Sequence, residues 1–524
     1  MKKFLSVCVL LFIATFTQSQ TADFSSIKKI YLQGINAIIE NNEVKGYSAF
    51  YFLDKADKKE SVYEITILDN NLKQTHSVKM TLPKQLELLE NSFNGERFCF
   101  SFINPKEKSI KYMLLDKTGK KVGAYTVSEL SNAEMTTIEQ SRESESNAYS
   151  GGMIAVPGKG FVRYGWEKKK GYHIELEMFD NAGKKLWKAT SKVPADEKSF
   201  ESAYPFYANT ETVVSLMTTR SKALSMADHE MFLTFHRVAT GKEAFRIGMK
   251  SSDKKNKNLH APIGVSYDEA SSQYYIYGEY YMPGQKMMKD KSTGLYFQVI
   301  DTTGKIVSDN YSSWTGDIAK KVSMNDKGKF ENNTNVTIHK MVRTADGKVF
   351  AIGEQFKKAA SALGIASQVM SGGRGGSSVA KIEIYNMMVF EYGSDFSLNK
   401  VHVFEKDKTN IELPRGMGMM GPNSLAYVMK MYGWFNYEFT TTSFDKTTFT
   451  SAYVNYDRDK EEGNNYAIGG IAYTKDAALV SDKIRLTDKP TWFRVLPAKP
   501  GYVSIFEYYK KEKRMAARLE KLNL

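Results

Sequence analysis

Cysteine is almost absent from this chain: Cys8 and Cys99 are the only two among 524 residues. Two cysteines form one bridge at most, so a disulfide-stapled scaffold is excluded and the fold must stand on packing. Histidine is scarce too, at seven residues. None of His76, His173, His229, His236, His260, His339 and His402 is paired at metal-ligand spacing, and no His-Glu-x-x-His occurs. A Gly-x-Ser-x-Gly nucleophile elbow is missing. The glycine run Gly372–Gly376 has no Gly-Lys-Ser/Thr after it, which removes a Walker-type phosphate loop. Beyond the N-terminus no apolar stretch approaches the roughly 20 residues of a membrane helix, so no membrane span is expected. Charge is plentiful, with a formal +14, but the bases are dispersed in pairs such as Lys120-Lys121. Dispersed charge favours solubility, and it is not the clustered footprint of a specific nucleic-acid binder.

The first residues carry a different signal. Lys2 and Lys3 precede an apolar run from Phe4 to Phe16, followed by Thr17-Gln18-Ser19-Gln20. A short positive segment, a sub-membrane-length apolar run and small residues at −3 and −1 predict a signal peptide over residues 1–19. The mature chain is then 20–524, exported to the periplasm or cell envelope, with release to the extracellular space as the alternative. Cys8 lies mid-run after Val7, where a lipid-bearing cysteine does not belong. Cys99, between Phe98 and Phe100, reads as a buried small hydrophobe.

One pattern repeats along the mature chain. A run of alternating apolar residues leads into a turn of the form Asp-x-x-Gly-Lys, and a second alternating run follows. Asp116-Lys117-Thr118-Gly119-Lys120, Asp180-Asn181-Ala182-Gly183-Lys184 and Asp301-Thr302-Thr303-Gly304-Lys305 are full copies. Ala239-Thr240-Gly241-Lys242 lacks the aspartate, and degenerate copies begin at Asp69, Asp395 and Asp445. Aspartate accepts backbone N–H bonds at the start of a tight turn, and glycine takes the left-handed conformation that closes it. A second set of turns accompanies them: Asn94-Gly95, Gly158-Lys159-Gly160, Asp346-Gly347 and Pro500-Gly501. Each unit therefore reads as about four antiparallel strands. Repetition of such units predicts an all-β fold, a β-propeller of seven or eight four-stranded blades in one domain spanning 20–524. The last unit lacks a final turn, and its missing strand is expected from the N-terminus, around Ile27 to Leu32.

The blades carry helical and flexible loop insertions. Asp69 and Asp116 are 47 residues apart, whereas Asp301 and Asp395 are 94 apart. The excess places an insertion at about 354–380, helical over Glu354 to Met370 and a flexible tether over Ser371 to Ser378. A second helix-compatible stretch runs from Ser131 to Asn147.

Two segments offer metal chemistry. Met417, Met419 and Met420 lie in Gly416-Met417-Gly418-Met419-Met420-Gly421, and clustered thioethers are soft ligands suited to copper(I). The competing reading is an apolar gap-filling loop. Asp457, Asp459 and Glu461 begin a segment somewhat like a calcium loop, but the glycine is displaced by one and position 12 is Ile468. The competing reading is a solvated acidic loop, with calcium kept as the alternative. Tyr274, Tyr275, Tyr277, Tyr280, Tyr281, Trp434 and Phe435 serve either as strand packing or as a binding face.

The Asp-x-x-Gly-Lys hairpins, the leader and the run Lys381-Ile382-Glu383-Ile384-Tyr385 after a glycine-rich tether resemble those of uncharacterised secreted propeller-like proteins of Bacteroidetes-type bacteria. The resemblance covers most of the mature chain at the level of pattern and carries no functional residue over. The sequence reading is a monomeric binding or scaffolding module of the envelope, engaging a protein, peptide or glycan through one face of the ring. The alternative is a hydrolase or lyase acting on an anionic glycan or phosphoester at the channel mouth, since propellers assemble sites from scattered loops.

Overall fold

The computed structural model describes residues 20–523 apart from 144–151, 170, 192–198, 221–228, 250–256, 288–289, 363–376, 415–416, 460–462 and 487–488. The predicted signal peptide lies outside these. A short strand, β1 (Thr21–Phe24), precedes eight successive antiparallel units. The first blade comprises β2 (Lys29–Glu40), β3 (Glu43–Lys55), β4 (Glu60–Asp69) and β5 (Gln74–Pro83); the second, β6 (Glu87–Phe93), β7 (Phe98–Asn104), β8 (Ser109–Leu115) and β9 (Lys121–Val127). Helix α1 (Asn132–Glu143) leads to the third, β10 (Met153–Val156), β11 (Gly160–Lys169), β12 (Gly171–Asp180) and β13 (Lys185–Thr190). The fourth is β14 (Phe200–Ala208), β15 (Thr212–Arg220), β16 (His229–Arg237) and β17 (Glu243–Gly248); the fifth, β18 (Leu259–Asp268), β19 (Gln273–Tyr281), β20 (Gly294–Asp301) and β21 (Ile306–Ser313). The sixth holds β22 (Asn335–Arg343), β23 (Val349–Ala360), β24 (Ser377–Tyr392), β25 (Leu398–Phe404) and an extra strand, β26 (Thr409–Pro414). Helix α2 (Pro422–Met431) precedes the seventh, β27 (Tyr437–Thr442), β28 (Phe449–Asp459), β29 (Gly463–Tyr473) and β30 (Leu479–Arg485). The eighth is β31 (Trp492–Pro497), β32 (Tyr502–Tyr509) and β33 (Arg514–Lys521), completed by β1.

The first strands of the blades touch in sequence around the ring: β2, β6, β10, β14, β18, β22, β27, β31 and back to β2. That closed circuit makes the fold an eight-bladed β-propeller. Its cores lie between blades. Phe50, Tyr63, Phe100 and Phe102 fill the seam between the first and second blades, with Phe50 and Tyr63 stacked at 5.2 Å. Cys99 is wholly buried with Phe161 and Phe179 in the next seam, where α1 adds Met135 and Ile138. Middle strands such as β7 are buried on both faces because blades press on both sides, whereas the outermost β9 alternates exposed and half-buried residues.

The ring closes through the N-terminus, as expected, but with a different segment. β1 pairs antiparallel with β33, Thr21 opposite Arg518 and Phe24 opposite Met515. Ile27 is a buried connector whose N–H donates to the Lys513 carbonyl, and Lys29 onward is already the innermost strand of the first blade. The last unit lacks a final turn because its outer strand arrives from the other end of the chain.

The aspartate turns have the predicted chemistry. Asp116 Oδ1 accepts from the N–H groups of Thr118 and Lys120, and Asp301 Oδ1 from those of Thr303 and Lys305. Gly119 and Gly304 stand at φ +85° and +88°. These turns join the third and fourth strands of their blades. Asp445 is the exception: it lies between the first and second strands of the seventh blade, whose third-to-fourth turn is Thr474–Ala478 with Ala477 in the left-handed position. The expected helix over the 354–380 insertion is corrected as well. Glu354–Ala360 continues β23, because its apolar positions pair into the sheet opposite Ala380–Met387, and residues 363–376 lie outside the described ones. The expected helix after Ser131 is α1, opened by a capping box in which Ser131 and Glu134 exchange hydrogen bonds.

Alternate turns of an antiparallel meander emerge on opposite ends. Here the ends differ sharply. The turns between first and second and between third and fourth strands are all short, the longest being the six residues between Thr442 and Phe449. The opposite end carries α1, α2 and every long connection.

Candidate functional site at the loop-bearing mouth

Among the described residues, helix α2 is one of two α-helices at the loop-bearing end. Pro422 suits its first turn because the missing N–H has no helical partner there. Leu425, Ala426 and Met429 form one face and pack with Phe356, Ile382, Ile384 and Leu413 of the sixth blade. The other face holds Asn423, Tyr427 and Lys430. The Asn423 amide donates to Tyr281 Oη at 2.6 Å and Glu279 Oε2 at 3.2 Å, at the end of the fifth blade's second strand. Lys430 donates to the Ile338 carbonyl on the inner strand β22 at 2.7 Å. Tyr427 is 52% exposed and lies close enough to interact with Tyr204 and Arg220 of the fourth blade. The helix is therefore packed on the sixth blade and tied to the fifth at the loop-bearing end.

Charged groups gather around it with shifted proton affinities. Burial lowers Lys430 to about 8 against the attraction of Glu279. Burial also lowers Lys291 to about 8, with Lys329 adding to the effect. Glu279 is raised by burial, in spite of bonds to Ser292 and Tyr281 and the two lysines nearby. Further along the inner strands, Glu438 of β27 is raised to about 7 by burial, against the pull of Arg494. Arg494 of β31 is lowered to about 10 by burial and donates to Asn36 Oδ1 at 3.3 Å. Asn36 of β2 donates to Asn91 of β6 at 2.5 Å, which extends this polar belt across four blades.

Behind Glu438 lies a buried ion pair. Lys406 Nζ sits 3.1 Å from Glu354 Oε1, and both side chains are fully buried. Glu354 also receives the N–H groups of Asn436 and Tyr437 at 3.1 and 3.4 Å and lies 3.4 Å from His339 Nε2. The His339 ring stacks on Tyr437 at 4.6 Å. Burial would raise Glu354, but Lys406 and His339 outweigh it and hold the carboxyl below its ordinary value. This cluster fixes the chain as it leaves α2 and enters β27, so it sets the position of Glu438.

The sequence candidates fall elsewhere. Met417 and Met420 pack, half-buried, against the Phe356–Leu413–Phe435 cluster, which is the gap-filling role; Met419 shares their single helical turn, and its side chain lies outside the described residues. Asp457 and Asp459 sit in a regular hairpin, opposite Asn465 and Gly463, and Glu461 lies outside the described residues. Among the described residues no three His, Cys, Asp or Glu side chains converge to hold a metal ion. Tyr274, Tyr277, Tyr280 and Tyr281 are buried in packing, while Trp434 stacks on Tyr432 at 5.0 Å beside α2. Glu438, Arg494, Glu279 and Lys430 share no sequence signature because they come from three separate blades and from α2. The available signal was a charge set within an apolar inner strand, as in Trp492-Phe493-Arg494-Val495-Leu496.

A family model described as a family of unknown function (DUF6770) matches residues 1–523. The chain belongs to this family. No curated protein matches it. Solved structures similar to it include the β-propeller domain of the Trilobed protease from Pyrococcus furiosus, at 10% identity and TM-score 0.32 over 74% of this chain and 96% of that one. A post-proline cleaving enzyme from Rickettsia typhi matches at 8% identity and TM-score 0.38 over 90% of this chain and 57% of that one. The GH93 alpha-L-arabinofuranosidase of Fusarium graminearum matches at 9% identity and TM-score 0.28, over 69% and 89%. Likeness at this level carries no argument about activity.

Proposed function

We propose that this chain is an exported cell-envelope protein that binds a protein, peptide or glycan with the loop-bearing face of its propeller. The supporting observation is α2, a helix tied to the fifth and sixth blades at the loop-bearing end by Asn423 and Lys430, with the Tyr427 ring left exposed within electrostatic range of Tyr204. Exposed aromatic side chains on a rigid support favour recognition, because they offer large contact area at little entropic cost. Export rests on the predicted leader over residues 1–19. The test is capture of envelope components by the mature protein. Tyr427→Ala and Tyr204→Ala should each weaken capture about tenfold, equivalent to about 1.4 kcal/mol. Leu186→Ser, on an outer strand, should leave it unchanged. Equal capture by all three variants would refute the assignment of the face.

A second reading, hydrolysis or elimination on an anionic glycan or phosphoester, is favoured by Glu438. A carboxyl pushed up to about 7 by burial, within electrostatic range of Arg494, is suited to proton transfer near an anion. Turnover of such a substrate by the wild type, abolished in Glu438→Gln with binding retained, would establish it. Absence of turnover across neutral pH would remove it.

A further inference from the structure

The opposite, short-turned end of the ring also bears a cavity. It has a volume of about 170 Å³ and is built by turns of the first, seventh and eighth blades, at the place where the ring closes. Phe444 and Tyr502 supply aromatic walls; Thr441, Thr442, Asn70 and Lys499 supply hydroxyl, amide and ammonium groups.

Phe444 is the informative residue. It is 63% exposed, the most exposed large hydrophobic among the described residues. Its turn is held by the residues around it: Asp445 Oδ1 accepts from the Thr447 N–H, Ser443 Oγ accepts from the Thr448 N–H, and Lys446 takes the left-handed conformation. The ring is thus presented to solvent by a turn that makes no structural use of it. On the facing side Lys499 Nζ lies 4.7 Å from the centre of the Tyr502 ring and donates to Asn71 Oδ1 at 2.9 Å. Glu43, the carboxylate at the rim, is already paired with Lys45 at 2.5 Å.

We infer that this cavity is a second binding site, for a single sugar residue, distinct from the loop-bearing face. Aromatic rings take the C–H face of a pyranose, while threonine hydroxyls, an amide and an ammonium group take its hydroxyls. The volume is below the roughly 300 Å³ where sites for drug-sized ligands begin, so it selects one sugar unit rather than a long chain. Because its walls belong to the first, seventh and eighth blades, an occupant ties together the blades on both sides of the closure.

The experiment uses the mature chain with N-acetylglucosamine, glucose, galactose and glucuronic acid, each added as the free monosaccharide. Saturation-transfer NMR should show contact with at least one, and that sugar should raise the melting temperature. Phe444→Ala should reduce its affinity at least about tenfold with the unliganded melting temperature unchanged; Phe444→Trp should retain binding. Should Phe444→Ala prove unstable, Asn70→Ala supplies the same comparison. Lack of transfer from all four sugars overturns the inference, as does transfer that persists undiminished in the alanine variant. Substitutions at Tyr427 leave this binding intact, so the two faces are tested separately.

Discussion

Replacing Lys406 with methionine isolates the buried ion pair behind the polar belt. Lys406→Met keeps an unbranched side chain one atom shorter and removes its charge, leaving Glu354 fully buried with two backbone N–H groups and His339. Loss of one partner of a buried pair costs about 3–5 kcal/mol, mostly because the remaining charge is stranded. The pH dependence gives a sharper test than the magnitude. In the wild type the Glu354 carboxyl sits below its ordinary value of 4.5, so its contribution is complete above that value and is lost as pH falls through the lower folded value. Without Lys406 the dominant influence is burial, which raises the carboxyl. The deficit of the variant should then shrink as pH falls through that raised value, because protonation removes the stranded charge. Urea unfolding of both proteins from pH 8 down to about pH 4, read by far-UV dichroism, measures this. In a cycle with Glu354→Gln, the coupling should be favourable and exceed about 1.5 kcal/mol, within the range for contacting charged residues. A Lys406→Met variant within about 0.5 kcal/mol of the wild type, or a deficit constant with pH, would refute the reasoning.

Three further outcomes are expected. Gly304→Ala should cost about 1–3 kcal/mol, since its φ is +88° and a Cβ would meet Phe245 at 2.5 Å; Gly248→Ala, where a Cβ meets nothing within 4 Å, should be neutral in the same thermal melt. Removing residues 20–24 deletes β1 and opens the edge of β33, so limited trypsin digestion should cut early at Arg514 and Arg518; an unchanged digestion pattern would show that closure does not depend on this strand. Cys99 is wholly buried, with its thiol raised by burial, and should react with a maleimide only after denaturant unfolds the chain.

The architecture was legible in the sequence because its rules are local. Asp116, Asp180 and Asp301 make their turns with residues two and four positions away, so each turn is written in five consecutive letters. The same local reading went astray at Asp445, whose turn uses similar chemistry at a different place in the blade. Glu354 to Ala360 has helix-forming composition, but pairing with Ala380–Met387 on one side, and of Glu354–Phe356 with β22 on the other, holds it in the sheet. The candidate site was illegible for the opposite reason. Asn36, Asn91, Glu438 and Arg494 come from four blades and meet only once the ring is closed. No spacing along the chain records that meeting.

Pairing of β1 with β33 joins Thr21 to Arg518, nearly the whole length of the chain apart. During synthesis β1 leaves the ribosome first, and its partner strand is among the last segments made. Seven blades can form their own sheets from neighbouring strands, but the eighth must wait for a segment that has stayed unpaired throughout. Loops of this length close slowly, because contacts distant in sequence form only after the entropy of the intervening chain has been overcome. A chain shortened at either end keeps the strands of most blades and loses the one pairing, β1 with β33, that joins the two ends of the chain in the eighth.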